Sequence, residues 1–130
     1  MDQTECPFCQ LEKSGIYMAT DSAAAFPDAF PVAEGHTLVV PKRHVASLFD
    51  LSEAELAALW FLVAQVRAKL MDELKPDGFN IGVNDGQAAG QTVMHAHVHI
   101  IPRRQGDTAD PRGGIRWIMP KKAQYWDDGK

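Results

Sequence analysis

Three of the five histidines in this 130-residue chain alternate along one short stretch, at His95, His97 and His99. Alternate residues of a β-strand share one face and lie roughly 6.6 Å apart. Neighbouring pairs could share a metal ion, but the outer two lie about 13 Å apart. All three converging on one tetrahedral ion, at ~2.1 Å per bond, would therefore be strained. The spacing favours a division of labour, in which one histidine carries out chemistry and its neighbours orient or assist it.

A glycine-rich segment, residues 85–92, precedes the histidines. Gly86 and Gly90 let the backbone turn and approach a ligand closely. Successive N–H groups of such a loop can form an anion-binding nest, and the Gln91 amide and the Thr92 hydroxyl are further donors. A phosphate beside an imidazole that is partly neutral at pH 7 suggests histidine as a nucleophile on phosphorus. The product would be a covalent phospho- or nucleotidyl-histidine that water then cleaves.

A long helix is predicted to begin after Ser52, with Glu55 as its capping-box partner, and to end at Pro76 and Gly78. One set of its apolar residues recurs at helical spacing: Leu56, Leu59, Trp60, Val63, Val66, Leu70 and Leu74. A second side is also apolar: Ala57, Phe61, Ala64 and Ala68. A helix that is apolar on two sides is usually buried on two sides. One side would cover the domain's own sheet, and the other would form a subunit interface or pack in the core.

The strands are predicted around this helix. Residues 15–30 show short strands with prolines at an edge or corner, and residues 36–41 form a further strand. Residues 79–83 and 94–102 predict an antiparallel hairpin, with Ala96, Val98 and Ile100 under the helix and the histidines on the open face. Strands around one long helix give an α+β fold.

Composition limits the remaining possibilities. The length predicts one domain, and 45% apolar residues are normal for a globular protein. The net charge of −4 disfavours nucleic acid as the main partner. The first residues are polar and acidic, and the longest apolar run is too short to span a bilayer, so we expect a soluble cytoplasmic protein. Cys6 and Cys9 form a C-x-x-C pair, which is either a redox pair or half of a zinc site.

Several segments together resemble the histidine triad (HIT) family. Residues 95–101 resemble its signature of three alternating histidines, and residues 26–44 resemble its nucleotide-binding and second-histidine segment. Residues 84–93 resemble its phosphate loop, and Cys6-Pro-Phe-Cys9 resembles the zinc-binding start of many bacterial members. The similarity covers roughly residues 6–107. We therefore expect a HIT domain over residues 1–107, and a C-terminal tail over residues 108–130 that packs on the domain or on a partner subunit.

The resemblance implies an α+β homodimer whose two sheets join into one, with a purine nucleotide as its small-molecule substrate. It implies hydrolysis or transfer of a nucleoside monophosphate from a phosphoanhydride or a phosphoramidate. His97 would be the nucleophile, with its Nδ1–H held by a backbone carbonyl. His99 would contact the α-phosphate and the leaving group. His36 would lie beside His97 and position it.

The resemblance also implies the substrate contacts. Asn84, Gln91 and Thr92 would contact the phosphate or the bridging atom, in the loop that contains Gly90. Asp28 would accept hydrogen bonds from the ribose hydroxyls. The walls around the base would be Phe26, with Phe30 and Ile16.

Together with the cysteines, the resemblance implies a metal centre. Cys6, Cys9, His44 and His95 would form a Cys₂His₂ set for tetrahedral zinc. Four protein ligands leave no open position, so this zinc would be structural, and His95 would have no catalytic role. The alternatives are a redox pair at the cysteines and a surface histidine at His44.

The substrate branch stays open at this stage. Asp28 resembles the branch that favours adenosine phosphoramidates, whereas residues 99–107 resemble the branch that cleaves dinucleoside polyphosphates. Lys42, Arg103 and Arg104 could assist distal phosphates or be solvated surface charges. Two other functions compete with the hydrolase: a nucleotide-binding regulatory module with little turnover, and a thiol oxidoreductase.

Overall fold

The computed structural model describes residues 5–11 and 14–127. Five antiparallel strands form one sheet in the order β1-β2-β3-β5-β4. The strands are β1 (Met18–Ala19), β2 (Ala23–Pro27), β3 (Thr37–Pro41), β4 (Gly78–Gly82) and β5 (Val98–Arg103). One long helix, α1 (Glu53–Leu74), packs across one face of this sheet. The predicted α+β fold is confirmed.

The ends of α1 follow their sequence signals. The Ser52 hydroxyl accepts from the Glu55 N–H, and the Glu55 carboxylate accepts from the Ser52 N–H, which completes the capping box. At the other end Lys75 takes a left-handed conformation with φ 50°. Pro76 follows at once and cannot continue the helix. No helix among residues 5–11 and 14–127 is long and apolar enough to cross a membrane.

Only one side of α1 is buried. Leu59, Leu62, Val63, Val66 and Leu70 pack against Ala96, Val98 and Ile100 from β5 and the segment before it. Trp60, predicted on the buried side, is 43% exposed, and Phe61 on the second side is 62% exposed. The alternative that the second side of α1 packs in the chain's own core is therefore wrong for the described residues. A subunit interface there stays a prediction.

The predicted hairpin of β4 and β5 is confirmed, but β5 begins later than predicted. Its pairing with β3 starts at Val98 opposite Val39. Beyond that point β3 reaches Pro41, which has no N–H to donate to a ladder. The Ala96 N–H bonds instead to the Val45 carbonyl at 2.7 Å. His95 and His97 therefore lie in an irregular approach to the strand, and only His99 lies within it.

The tail forms two short 3₁₀ turns, Gly114–Ile118 and Pro120–Lys122, rather than extended chain. The Arg116 guanidinium donates to the carbonyls of Lys122 and Ala123, and the Ala123 side chain is buried. Trp117 Nε1–H donates to the Arg112 carbonyl at 2.7 Å. These bonds fold the tail on itself beside β4.

Gly35, directly before His36, lies close to the C-terminal end of α1. Its φ is +86°, and an added Cβ would lie 2.6 Å from Leu74 Cδ1. Gly35→Ala should therefore combine backbone strain with a clash and lower the free energy of unfolding by about 2 kcal/mol. The measurement is urea denaturation followed by circular dichroism.

Gly78→Ala is the matched control, because a Cβ at Gly78 would meet nothing within 4 Å and the residue lies in an ordinary strand conformation. Equal stability losses in the two variants would contradict the proposed close approach at Gly35.

Candidate active site and metal centre

Cys6, Cys9, His44 and His95 converge as one cluster, with all four ligand atoms within 4.8 Å of one another. His95 Nδ1 lies 3.5 Å from each cysteine sulfur, and His44 Nδ1 lies 3.2 Å from Cys9 Sγ and from His95 Nδ1. Zinc bonds of ~2.3 Å to sulfur and ~2.05 Å to nitrogen give tetrahedral edges of about 3.6 Å for S–N and about 3.3 Å for N–N. The cluster therefore already has the dimensions of a metal-ligand shell.

The hydrogen bond on the far side of His95 also fits a metal ligand. Its Nε2–H donates to the Pro41 carbonyl at 2.8 Å, and the ring is fully buried. That bond fixes the proton on Nε2 and leaves the Nδ1 lone pair directed at the cluster. Burial lowers the pKa of His95, which also favours the neutral, ligating form. The four residues could hold a metal ion.

The thiols of the cluster require deprotonation before they can bind a metal. Burial, together with the neighbouring Cys6 thiol, raises the pKa of the Cys9 thiol to about 11. A divalent ion must therefore displace a proton from Cys9, so binding should weaken as the pH falls.

The backbone of His95, a residue of the metal cluster, holds the His97 ring in place. Its Nδ1–H donates to the carbonyl of His95 at 2.8 Å, as the resemblance implied. Neutral imidazole carries one proton, so Nε2 keeps a free lone pair. The ring is 7% exposed and packs edge-on against Phe8, with 5.0 Å between centroids. Its tautomer and its orientation are both fixed.

Asp28, His36 and His99 form a second cluster on the same face. His36 Nε2 lies 3.0 Å from His99 Nδ1 and 3.3 Å from Asp28 Oδ2. His36 was expected beside His97, but the partner it contacts is His99. Burial lowers the pKa of both His36 and His99, against the raising effect of the Asp28 charge. The lowered pKa favours the neutral form of both rings.

The hydrogen bonds of this second cluster oppose metal binding. The Val32 N–H donates to His36 Nδ1 at 3.1 Å, so neutral His36 carries its proton on Nε2. A metal at Nε2 would need the proton on Nδ1, facing the Val32 N–H. His36 Nε2–H instead donates towards His99 Nδ1, which leaves the proton of neutral His99 on Nε2. His99 is thus set as a hydrogen-bond donor.

The predicted phosphate-loop residues fall into two groups. Gln91 is 5% exposed, and its amide is fully engaged: Oε1 accepts from the Gly86 N–H, and Nε2 donates to the Ala46 and Val93 carbonyls. It therefore braces the loop from inside. Asn84, Gly90 and Thr92 are exposed, with Gly90 at φ +94°. The side chains of Asn84 and Thr92 make no hydrogen bond within the described residues and are free for a ligand, whereas the Gly90 N–H already donates to the Gln87 carbonyl at 2.9 Å.

The proposed base walls are arranged differently from the expectation. Phe26 is 3% exposed and lies under Phe8, with ring centroids 5.6 Å apart, whereas Phe30 is 86% and Ile16 37% exposed. Phe8 contacts both Phe26 and His97, and the sequence analysis missed it. The sequence feature that could have indicated Phe8 is its position between Cys6 and Cys9, because two metal ligands would fix the residues between them.

Two of the basic residues considered for distal phosphates are already engaged. Arg103 donates to Asp107 through two nitrogens and to Asn80 Oδ1. Arg104 donates to the carbonyls of Leu74 and Lys75 and so caps the C-terminal end of α1. Both have structural roles, and neither is a free cation for a ligand.

Residues 11–106 match the model of the family described as HIT domain. An uncharacterised HIT-like protein of Mycoplasma genitalium is 42% identical over 104 residues, which cover 77% of this chain and 74% of that protein. The asymmetrical bis(5'-nucleosyl)-tetraphosphatase of Schizosaccharomyces pombe is 41% identical over 97 residues, covering 75% of this chain and 53% of that protein.

A solved structure bears on the metal centre. A zinc-bound histidine triad family protein from Mycobacterium smegmatis superposes with a TM-score of 0.75 and 32% identity, over 84% of this chain and 82% of that one. The similarity to this structure therefore covers most of the chain and is not confined to the histidine and cysteine motifs.

The two clusters predict one metal ion per chain. Cys6→Ser and His44→Asn should each remove most of the bound metal and lower the melting temperature by several degrees, because a structural ion stabilises the folded state. The measurements are elemental analysis of purified protein and thermal denaturation.

His36→Asn is the matched control, since its hydrogen-bond pattern excludes a metal. This variant should keep the wild-type metal content. Two ions per chain in the wild type, with one lost in His36→Asn, would contradict the tautomer assigned to His36.

Proposed function

The chain belongs to the HIT domain family, and on that premise we propose that it is a nucleotidyl hydrolase or transferase. Its substrates are nucleoside phosphoramidates or dinucleoside polyphosphates. The reaction releases a purine nucleoside monophosphate through a covalent nucleotidyl-His97 intermediate. One observation carries the proposal: the His97 Nδ1–H bond to the His95 carbonyl leaves Nε2 unprotonated and fixed in place.

The reaction proceeds in two displacements at the α-phosphorus. His97 Nε2 forms a bond to phosphorus, and the bond to the leaving oxygen or nitrogen breaks with its electron pair on the leaving group. The nucleotidylated ring is an imidazolium, whose charge the His95 carbonyl stabilises through Nδ1–H. Water then attacks phosphorus and releases a proton to solvent, the N–P bond breaks with its electron pair on nitrogen, and neutral His97 is regenerated. The water oxygen stays on the monophosphate.

The second cluster supports the departure of the leaving group. We assign His99 Nε2–H as the donor to the α-phosphate or leaving atom, because His99 Nδ1 is taken by His36. His36 thus acts on His99 rather than on His97. Asp28, whose Oδ1 accepts from the Phe30 N–H, would contact the ribose and also stabilises this pair.

The loop and the walls complete the substrate contacts in this proposal. Asn84 and Thr92 would contact the phosphate, Gly90 would let the loop turn beside it, and Gln91 would hold the loop in shape. Phe8, backed by the buried Phe26, would form the wall on which the base of the transferred nucleotide lies. The proposed metal is zinc, held by Cys6, Cys9, His44 and His95, and it would supply structural cross-linking. The metal would fix the His95 carbonyl, which in turn holds His97.

A homodimer accounts for the open side of α1. Exposed Trp60 and Phe61 are of the residue types enriched at interfaces, and β4 is an edge strand that can pair with a second copy. We propose residues 1–107 as the HIT domain, with residues 108–130 packing on it or on the partner subunit.

The dimer is tested by a charge at the open side of α1. Phe61→Glu should shift the protein from dimer to monomer in analytical ultracentrifugation, because a buried unpaired carboxylate is costly. Gln105→Glu adds the same charge at an exposed position away from α1 and should leave the mass unchanged. A wild-type protein that sediments as a monomer would contradict the proposed homodimer.

Catalysis is tested with an adenosine phosphoramidate and a diadenosine polyphosphate, by following release of AMP. His97→Ala should reduce the rate at least about 10³-fold, because removal of a nucleophile removes the covalent route. Quenching of wild type with denaturant at alkaline pH, where an N–P bond to histidine is stable, should trap one nucleotidyl group on the peptide that contains His97.

Three outcomes separate the alternatives. Equal AMP release by wild type and His97→Ala would refute the mechanism. Nucleotide binding with no release by wild type would favour the regulatory module. A thiol–disulfide exchange activity that depends on both cysteines, in protein without metal, would favour the oxidoreductase.

A further inference from the structure

Cys6 and Cys9 lie at the two ends of one hydrogen-bonded turn. The Cys9 N–H donates to the Cys6 carbonyl at 3.2 Å. A four-residue turn of this kind brings its first and last Cα atoms within about 7 Å of each other, and a disulfide spans Cα atoms roughly 4.4–6.8 Å apart. Both cysteines are free, and each sulfur lies 3.5 Å from His95 Nδ1. The two sulfurs can therefore bond to each other through a change confined to this turn.

The two sulfurs differ in exposure. Cys6 is fully buried, whereas Cys9 is half-buried. A small oxidant dissolved in water therefore reaches Cys9 first, and Cys6 is the adjacent second thiol. A thiol that binds a metal is deprotonated, and the thiolate is the nucleophilic form. The metal-loaded pair thus has an accessible nucleophilic sulfur beside a second sulfur that can displace its oxidation product.

Hydrogen peroxide represents the class of oxidant that suits this pair, because hydroperoxides accept two electrons from thiolates. The Cys9 thiolate attacks one peroxide oxygen and the O–O bond breaks, which gives a sulfenic acid on Cys9 and a hydroxide ion. The Cys6 thiolate then attacks Cys9 Sγ, the S–O bond breaks, and a second hydroxide ion leaves. Two protons from solvent convert both hydroxide ions to water. The two sulfurs are oxidised to a disulfide, and one peroxide is reduced.

The disulfide takes two of the four ligands away from the metal centre. The thiolate is the form of cysteine that binds a metal, and a disulfide carries no negative charge. Only the imidazoles of His44 and His95 would remain, and two ligands do not complete the tetrahedral shell of a structural zinc site. Formation of the disulfide therefore releases the ion.

Both changes reach the candidate nucleophile. Phe8 lies between the cysteines, and its ring centroid lies 5.0 Å from that of His97 and 6.0 Å from that of His95. A new bond between the sulfurs alters the turn that holds this ring. Loss of the ion also frees His95 Nδ1, and the His95 carbonyl is the acceptor that orients His97. Oxidation thus removes two supports of the His97 ring.

We propose that Cys6 and Cys9 form a peroxide-sensitive switch, in which a disulfide between them expels the metal and releases the His97 ring from its fixed orientation. The thiols regulate the adjacent site and do not turn over a substrate of their own. The effect on AMP release rests on the proposed function, whereas the disulfide, the metal and the His97 ring are followed without any substrate.

The test treats zinc-loaded wild type with hydrogen peroxide. Zinc release is followed with a chromophoric chelator, disulfide formation by intact mass, and the His97 ring by proton–nitrogen correlation spectra of the histidines. One ion should leave for each disulfide, the chain should lose the mass of two hydrogen atoms, and the His97 Nδ1–H signal should disappear. AMP release should fall at least about tenfold, as when the support of a metal site is lost.

A dithiol reductant with added zinc should restore the ion, the His97 signal and AMP release. This recovery separates the switch from oxidation of methionine, which a dithiol does not reverse.

Cys9→Asp is the matched variant, because a carboxylate is a zinc ligand that cannot form a disulfide. If this variant binds zinc, peroxide should leave its zinc content and its His97 signal unchanged. If it binds none, its His97 signal should be absent before oxidation, as in oxidised wild type. The opposite result in either case would contradict the switch.

The possible failures are distinguishable. A wild type that takes up no zinc, one that keeps its zinc after the disulfide forms, or one that loses zinc with an unchanged His97 signal would each overturn this inference alone. Disulfide formation with full AMP release would overturn it as well. If reduced, zinc-loaded wild type releases no AMP, the proposed function fails, and zinc release and the His97 signal still decide this inference.

Discussion

The site depends on two hydrogen bonds made by one buried residue. His95 Nε2–H donates to the Pro41 carbonyl, and the His95 carbonyl accepts from His97 Nδ1–H. The first bond directs the His95 Nδ1 lone pair at the cysteines, and the second leaves the His97 Nε2 lone pair free. The metal centre and the candidate nucleophile are therefore coupled through one side chain and its own backbone. A change at the metal centre would therefore alter the position of His97, and a change at His97 would alter the metal centre.

That coupling explains why the sheet is irregular where the chemistry is located. A regular ladder would have continued from Val98 to place Ala96 opposite Pro41. Pro41 lacks the N–H that such a ladder needs, and its carbonyl is used by a side chain instead. Ala96 finds its partner in Val45, outside the strands. The early end of pairing frees the backbone to bring His44 and His95 beside the cysteines, since both residues lie next to this break.

The sequence predicted the elements well because their signals are local. The capping box at Ser52, the stop at Pro76 and the alternation along β4 and β5 each depend on a few neighbouring residues. The tautomer of His36 was not predictable, since it is determined by the Val32 N–H, and a backbone group leaves no trace in residue type. Gln91 was assigned to a ligand because an amide donor in a loop has that chemistry. Its actual contacts, Gly86, Ala46 and Val93, include a carbonyl 45 residues away in sequence.

The two clusters show how far residue type alone can mislead. Each contains two imidazoles and an anionic or potentially anionic group at ligand distances, and by composition each could hold a metal ion. Their opposite character follows from one backbone group behind one histidine. Behind His95 stands a carbonyl, which fixes the proton away from the cluster and leaves a lone pair inside it. Behind His36 stands an N–H, which draws the lone pair outward and leaves the proton inside. Histidine side chains thus form part of a ligand shell in one cluster and a hydrogen-bond donor chain in the other.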